Sequence, residues 1–133
     1  MLKLCLVESD IPETKKYGEE VIRDNGMVSG NKHSMINYLQ KRYNYRLKDF
    51  AQKNDILVIG AFLEQCVGWL ALSLLDEHNA RQVTVDLTRS FSLLEKYKFM
   101  HPRTTLSTSE RCDILWQNHP ELHPFEERLV ILK

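Results

Sequence analysis

A chain of 133 residues, 43% apolar and 27% charged, is long enough to bury one core and is expected to be globular rather than disordered. Eighteen basic and eighteen acidic residues cancel to a formal charge of zero. No basic stripe with interleaved aromatics runs along the chain, so nucleic acid is not the expected partner.

Taken in chain order, the pattern predicts alternating strands and helices within a single domain spanning 1–133. Leu2 to Val7 is apolar and ends at Glu8-Ser9-Asp10, a first strand that Ile11-Pro12 breaks. Tyr17 to Ile22 is ambiguous. Asp24-Asn25-Gly26 marks a turn, and Met27 and Val28 form a short strand. His33 to Gln52 reads as helix, with Ile36, Leu39, Tyr43, Leu47 and Phe50 at helical spacings. Asp55 to Ile59 is an uninterrupted β-favouring run, the pattern of a strand covered on both faces. Glu64 to His78 reads as helix, with Asn79 as its stop and His78 placed to meet the negative end of the dipole.

Gln82 to Asp86 is expected to be a second buried strand. Ser90 or Ser92 caps a helix running to about Lys98, and Thr104 to Leu106 forms a short strand. Ser107-Thr108-Ser109-Glu110 carries capping-box chemistry for a helix through about Gln117. Phe125 to Leu132 is predicted as a last helix. Trp69 and Trp116 fall at apolar helical positions and are expected in the core. His119 and His123, each next to proline, read as loop residues, and the histidines show no metal-ligand spacing. This alternation implies right-handed βαβ units and a mainly parallel sheet flanked by helices, an α/β Rossmann-like fold. In such sheets ligand sites form at the carboxyl ends of strands, where Gly60 to Cys66 falls.

Cys5, Cys66 and Cys112 are widely spaced, with no CxxC pair and no secretory leader. They read as free thiols in a reducing, intracellular compartment, and neither a metal nor a cofactor is expected. Short apolar runs predict no membrane span. Cys66 follows a strand and a glycine turn and opens a helix. Unpaired N–H groups and the positive dipole end there favour thiolate, and the same N–H groups suit an oxyanion. The competing reading is a space-filling buried cysteine.

The segment Gly60-Ala61-Phe62-Leu63-Glu64-Gln65-Cys66-Val67 resembles the Gly-Val-x-Thr-x-x-Cys-Val motif of the isochorismatase-like cysteine hydrolases, the family of nicotinamidases. Asn31-Lys32-His33-Ser34-Met35 resembles that family's lysine segment, and Lys32 lies 34 positions before Cys66, close to the family spacing. Val83 to Ser90 resembles the strand that ends in Asp-Ala-x-x-Ser. Leu106 to Glu110 and His123 to Glu127 resemble two further segments of the isochorismatase-domain-containing subgroup. The resemblance implies Cys66 as nucleophile, Lys32 as the cation that favours thiolate, and an oxyanion site on the backbone at Phe62 and Cys66.

The departures shape the functional expectation. The family's general base is an Asp at the end of its first strand, yet only 31 residues precede Lys32. Leu4-Cys5-Leu6-Val7-Glu8 resembles the family's second strand, so the first strand and its Asp are missing from the alignment. Leu63 stands where the family has threonine. A polarised thiol without a proton shuttle loses about two to four orders of magnitude in rate.

The expected function is therefore a degenerate isochorismatase-like protein. It would act as a non-catalytic subunit or binding module, with a protein partner or second copy covering an incomplete sheet unless Leu2–Val7 fills the gap. The alternative is an active hydrolase of small amides with Cys66 as nucleophile and Glu8 or Asp10 as stand-in base. A receiver-like signalling domain, suggested by Leu6-Val7-Glu8-Ser9-Asp10, ranks third because the strand that should end in a phosphorylatable Asp ends in Gly60.

Overall fold

The computed structural model describes residues 2–8, 20–24, 51–96 and 105–133, with side chains described from residue 51 onward except at Ala61, Cys66 and Lys96. Five strands form one sheet: β1 (Leu2–Glu8), β2 (Glu20–Asp24), β3 (Asp55–Ala61), β4 (Gln82–Phe91) and β5 (Leu129–Leu132). Their order is β2-β1-β3-β4-β5, and every neighbouring pair is parallel. The expected parallel α/β layering is therefore present. β1 pairs on both sides, with β2 and β3, and so is an inner strand. Leu2 to Val7 thus occupies an interior place in the sheet.

β3 forms because Asp55 opens a run that both faces of the sheet can bury. Ile56, Leu57, Val58 and Ile59 are all at most 1% exposed. Ile56 and Val58 join the main core cluster, while Leu57 and Ile59 alternate to the opposite face and are equally buried. α1 (Gly68–Asp76) lies against the first of these faces and buries Leu70, Ala71, Leu74 and Leu75. From β4 come Val83, Val85 and Leu87, and from α3 (Thr108–Asn118) come Cys112 and Leu115.

The stop after α1 is built as the sequence suggested. Asn79 takes a left-handed conformation at φ 51°, which asparagine tolerates better than most residues. The buried His78 donates from Nδ1 to the Ser73 carbonyl at 3.0 Å. Arg128 reaches back to donate to the carbonyls of Ala80, at 2.6 Å, and Leu75, at 3.2 Å. Arg128 thus supplies a donor to a carbonyl of the last turn of α1, Leu75, and ties the following Ala80 to the same side chain.

Four expectations are corrected. The strand at Gln82 does not stop at Asp86 but runs to Phe91, with a register shift against β3 between Val58 and Gly60. Asp86 causes the interruption by folding back on its own chain: it accepts from the Thr88 N–H at 2.9 Å, the Thr88 hydroxyl at 2.6 Å and the Arg89 guanidinium. Opposite this bulge Gly60 adopts φ 127°, a conformation that favours glycine.

Residues 105 and 106 are not in a strand. Leu106 instead donates its N–H to Glu95 at 2.9 Å. Phe125 to Leu132 is not a helix. Residues Pro120–Arg128 form a tight three-residue-per-turn helix containing Pro124, and Leu129–Leu132 is strand β5, registered on β4 from Val83↔Leu129 to Asp86↔Leu132. The short apolar run Leu-Val-Ile-Leu fits helix or strand by periodicity alone, and pairing with β4 makes it a strand that extends the sheet.

The helix expected over Glu64 to His78 begins with a separate turn, as described below. The predicted strand at Met27–Val28 lies outside the described residues, as does most of the helix over His33 to Gln52; residues 51–53 are helical. No helix among the described residues is long and apolar enough to cross a membrane.

Candidate functional site

The order β2-β1-β3-β4-β5 contains one reversal. From β1 the chain goes outward to β2 and then returns to the far side of β1 to lay down β3. The direction of strand addition therefore reverses between β1 and β3, and in parallel α/β sheets ligand sites form outside the carboxyl ends of strands at such a reversal. β1 ends at Glu8. Leu6 is registered on Val58, which sets Glu8 level with Gly60 on the neighbouring strand. β3 ends at Ala61 and leads through Phe62 into the turn Leu63–Val67, which carries Cys66. The backbone thus brings Glu8 and the Gly60–Cys66 segment to the same end of the sheet at the switch point.

The turn is a π turn. The Phe62 carbonyl accepts from the N–H of Gln65 at 3.0 Å and of Val67 at 3.1 Å, and the Gly68 N–H donates to the Gln65 carbonyl. Gln65 has non-helical torsions, φ −128° and ψ −109°. Cys66 therefore sits in a separate turn that feeds α1, not in the first turn of one continuous α-helix.

Glu64, in the same turn, is tied to the next strand. Its carboxylate accepts from the Ser92 hydroxyl at 2.5 Å and from the Leu93 N–H at 3.1 Å. Of the two serines offered as caps, Ser92 is the one used. It precedes α2 (Leu93–Lys96), accepts from the Leu94 N–H at 3.1 Å and donates its own N–H to Glu95 at 2.8 Å. Ser90 lies within β4, opposite Gly60. Its hydroxyl is buried and has no partner among the described residues.

Glu95 is buried and paired with Arg111 of α3. Arg111 Nη2 meets Glu95 Oε1 at 2.7 Å, and Nε bridges both carboxylate oxygens at 3.1 and 3.3 Å. Nη1 donates to the Leu87 carbonyl at 2.8 Å, and the guanidinium lies over the Phe91 ring at 4.7 Å. A buried ion pair is tolerable when its remaining donors and acceptors are filled, and this one meets the Ser92 and Leu106 N–H groups as well. The network joins the carboxyl-end segments of β3 and β4 to α3.

His119, expected in a loop, is a core residue. It ends α3, is 2% exposed, and places Nε2 2.8 Å from the Leu63 carbonyl. The ring rests on Gly68, where a Cβ would approach Nε2 to 1.9 Å. Burial pushes the His119 imidazole below its ordinary pKa, against the opposing pull of its hydrogen bond and of Glu121 and Glu64. His123, by contrast, is exposed and stacks on Trp116 at 4.4 Å. Trp69 and Trp116 both pack against the core from half-buried positions.

Of the site residues expected from sequence, Glu8 and Cys66 are described through their backbones, and Phe62 is half-buried at the mouth of the turn. Lys32 and Asp10 lie outside the described residues. Sequence reasoning missed Glu64, Glu95, Arg111, Gly68 and His119. The pattern Ser92-x-x-Glu95 is a capping box legible in the sequence, and an isolated glycine at the head of an apolar helix hints at a close packing partner. Nothing local in the sequence joins His119 to Leu63 across 56 positions. Among the described residues no group of three metal-ligating side chains gathers. Comparison with family models, with curated proteins and with solved structures finds no match to this chain.

Proposed function

We propose that this chain is a degenerate isochorismatase-like protein, a binding module or non-catalytic subunit in which the Cys66 turn survives without a working proton shuttle. The observation that carries this reading is the engagement of the described carboxylates in the turn and in the segments that follow β4's core. Glu64 is held by Ser92 and Leu93, Glu95 by Arg111, and Asp86 by Thr88 and Arg89. In each case the carboxylate oxygens already accept from protein donors, which commits them to holding these segments together. The turn after β3 lies at the carboxyl end of the sheet, the place where parallel α/β sheets bind small ligands, which suits recognition of a ligand more than its hydrolysis. A compartment that keeps thiols reduced fits the buried free Cys112.

The test is ammonia release from a panel of small primary amides by the full chain. The expected rate equals that of the Cys66→Ala variant. Turnover abolished by Cys66→Ala would sink the proposal and establish the second reading, an amide hydrolase. One observation favours that alternative: Glu8 ends the strand beside β3, level with Gly60. In that case Glu8→Gln would lower turnover by about a hundredfold or more, the usual cost of losing a general base.

A further inference from the structure

We propose that His119 is an acid-sensitive latch, whose protonation releases the end of α3 from the turn between β3 and α1 while the first half of α3 stays docked. The proposal is independent of what that turn does chemically.

The latch joins two segments that are far apart in the chain. The His119 ring is 2% exposed, and its Nε2 lies 2.8 Å from the Leu63 carbonyl, 56 positions away. A carbonyl oxygen only accepts, so Nε2 carries the proton and the neutral ring leaves Nδ1 bare. The ring is also wedged against the first residue of α1. A Cβ on Gly68 would come to 1.9 Å from Nε2 and 2.0 Å from Cδ2. Packing this close admits no water on that side, and a buried charge without its hydration is costly.

The ring is packed among the turn Leu63–Val67, α1 and the helix Pro120–Arg128. Among the described residues, the charged groups that face it are Glu64 from the turn and Glu121 from the last helix. α1 brings no charge near: its ionisable residue, Asp76, lies eight residues beyond Gly68, about 12 Å along the axis. Within α3, Asp113 lies six residues before His119, about 9 Å away by the same rise. Glu64 and Glu121 attract a positive ring, and the Leu63 and Glu64 carbonyls favour it. Burial outweighs them and holds the imidazole below its ordinary value of 6.5.

The release is local because the two ends of α3 are held differently. Its first half has the Ser107–Glu110 capping box and the buried pair of Arg111 with Glu95, neither of which involves the imidazole. Its last turn is tied to the β3–α1 turn by His119. A histidine kept neutral in the closed form binds fewer protons than the open form below 6.5. The closed form is therefore fully stable above that value and weakens as pH falls below it, until the closed ring itself protonates. One linked proton raises the opening constant by at most about tenfold per pH unit.

Hydrogen exchange of the full chain between about pH 7.5 and pH 5, corrected for intrinsic exchange, reads these opening constants. The reporters are the N–H groups of His119, on the Leu115 carbonyl, and of Val67, on the Phe62 carbonyl; the reference is that of Arg111, on Ser107. Both reporters are expected to open about fivefold or more often at the acid end, while Arg111 changes by less than about twofold. His119→Gln keeps an N–H donor but does not titrate, so the rise should vanish in it. A smaller rise in the wild type, or an equal rise in His119→Gln, would overturn the proposal. A rise shared by Arg111 would mean global unfolding and would overturn the local latch. Should His119→Gln fail to fold, an NMR titration of the wild-type ring decides. A midpoint below 6.5 with the proton on Nε2 at neutral pH is expected, and a midpoint at or above 6.5 would overturn the proposal.

Discussion

Asp86 shows how one side chain can set local geometry. Burial alone would raise its pKa, but hydrogen bonds from Thr88 and Arg89 and the Arg89 charge outweigh that and hold it below the ordinary value of 3.8. A carboxyl lowered on folding contributes stability above its unfolded pKa. That contribution is lost as pH falls through the folded value. Acid unfolding followed by circular dichroism should therefore show a steep loss below about pH 4, and Asp86→Asn should flatten it while lowering stability at neutral pH. Arg111 carries a larger stake. Arg111→Leu leaves Glu95 buried and charged without its partner, and urea unfolding should report a loss of about 3–5 kcal/mol. The double replacement Arg111→Leu with Glu95→Gln should recover part of that loss, since the uncompensated charge is gone.

Among the elements, α3 has the most complete local instructions. Ser107 accepts from the Glu110 N–H at 3.1 Å, and Glu110 accepts from the Ser107 N–H at 3.2 Å, so two orphan donors are satisfied reciprocally. Ser107→Ala should cost about 1 kcal/mol, read as a melting temperature lower by roughly 4 °C. α1 depends on distant parts instead. Its start needs His119 on Gly68, and its end needs Arg128 on the Leu75 and Ala80 carbonyls. The two helices differ because capping boxes are built from neighbours in sequence, whereas α1 adds to its local stop at Asn79 the contacts of His119 and Arg128, both from distant segments.

At the scale of the whole molecule, α1, α3 and the inner strands share one hydrophobic cluster, and Trp69 and Trp116 pack against it from different helices. Cooperative loss of that cluster requires both indoles to report the same unfolding. Single-tryptophan variants, Trp69→Phe and Trp116→Phe, should give coincident denaturation midpoints after correction for each substitution's own effect. Separated midpoints would mean that α3 and the last strand detach before the β3–α1 unit. The parallel sheet makes coincidence the physical expectation, because the connections from β3 to β4 and from β4 to β5 carry α1 and α3, which pack on the same core.

The sequence by itself determined the local elements with strong periodicity or short-range chemistry. Asp55 to Ile59 announced a doubly covered strand, Asn79 a helix stop, and Ser107 with Glu110 a helix start. Together they were enough to place Cys66 beyond a strand end. The last strand was misread because Leu129 to Leu132 suits helix or strand equally until β4 offers it an open edge. Tertiary structure alone decided the strand order, and with it the reversal between β1 and β3, because pairing is chosen among distant segments by burial of both faces. It alone decided the fate of the carboxylates as well: Glu64 and Glu95 look like surface acids in the sequence and become committed acceptors only when Ser92, Leu93 and Arg111 are brought to them. His119 is the sharpest case. Beside a proline it reads as a loop residue, and only the fold gives it a carbonyl to satisfy and a glycine to rest on.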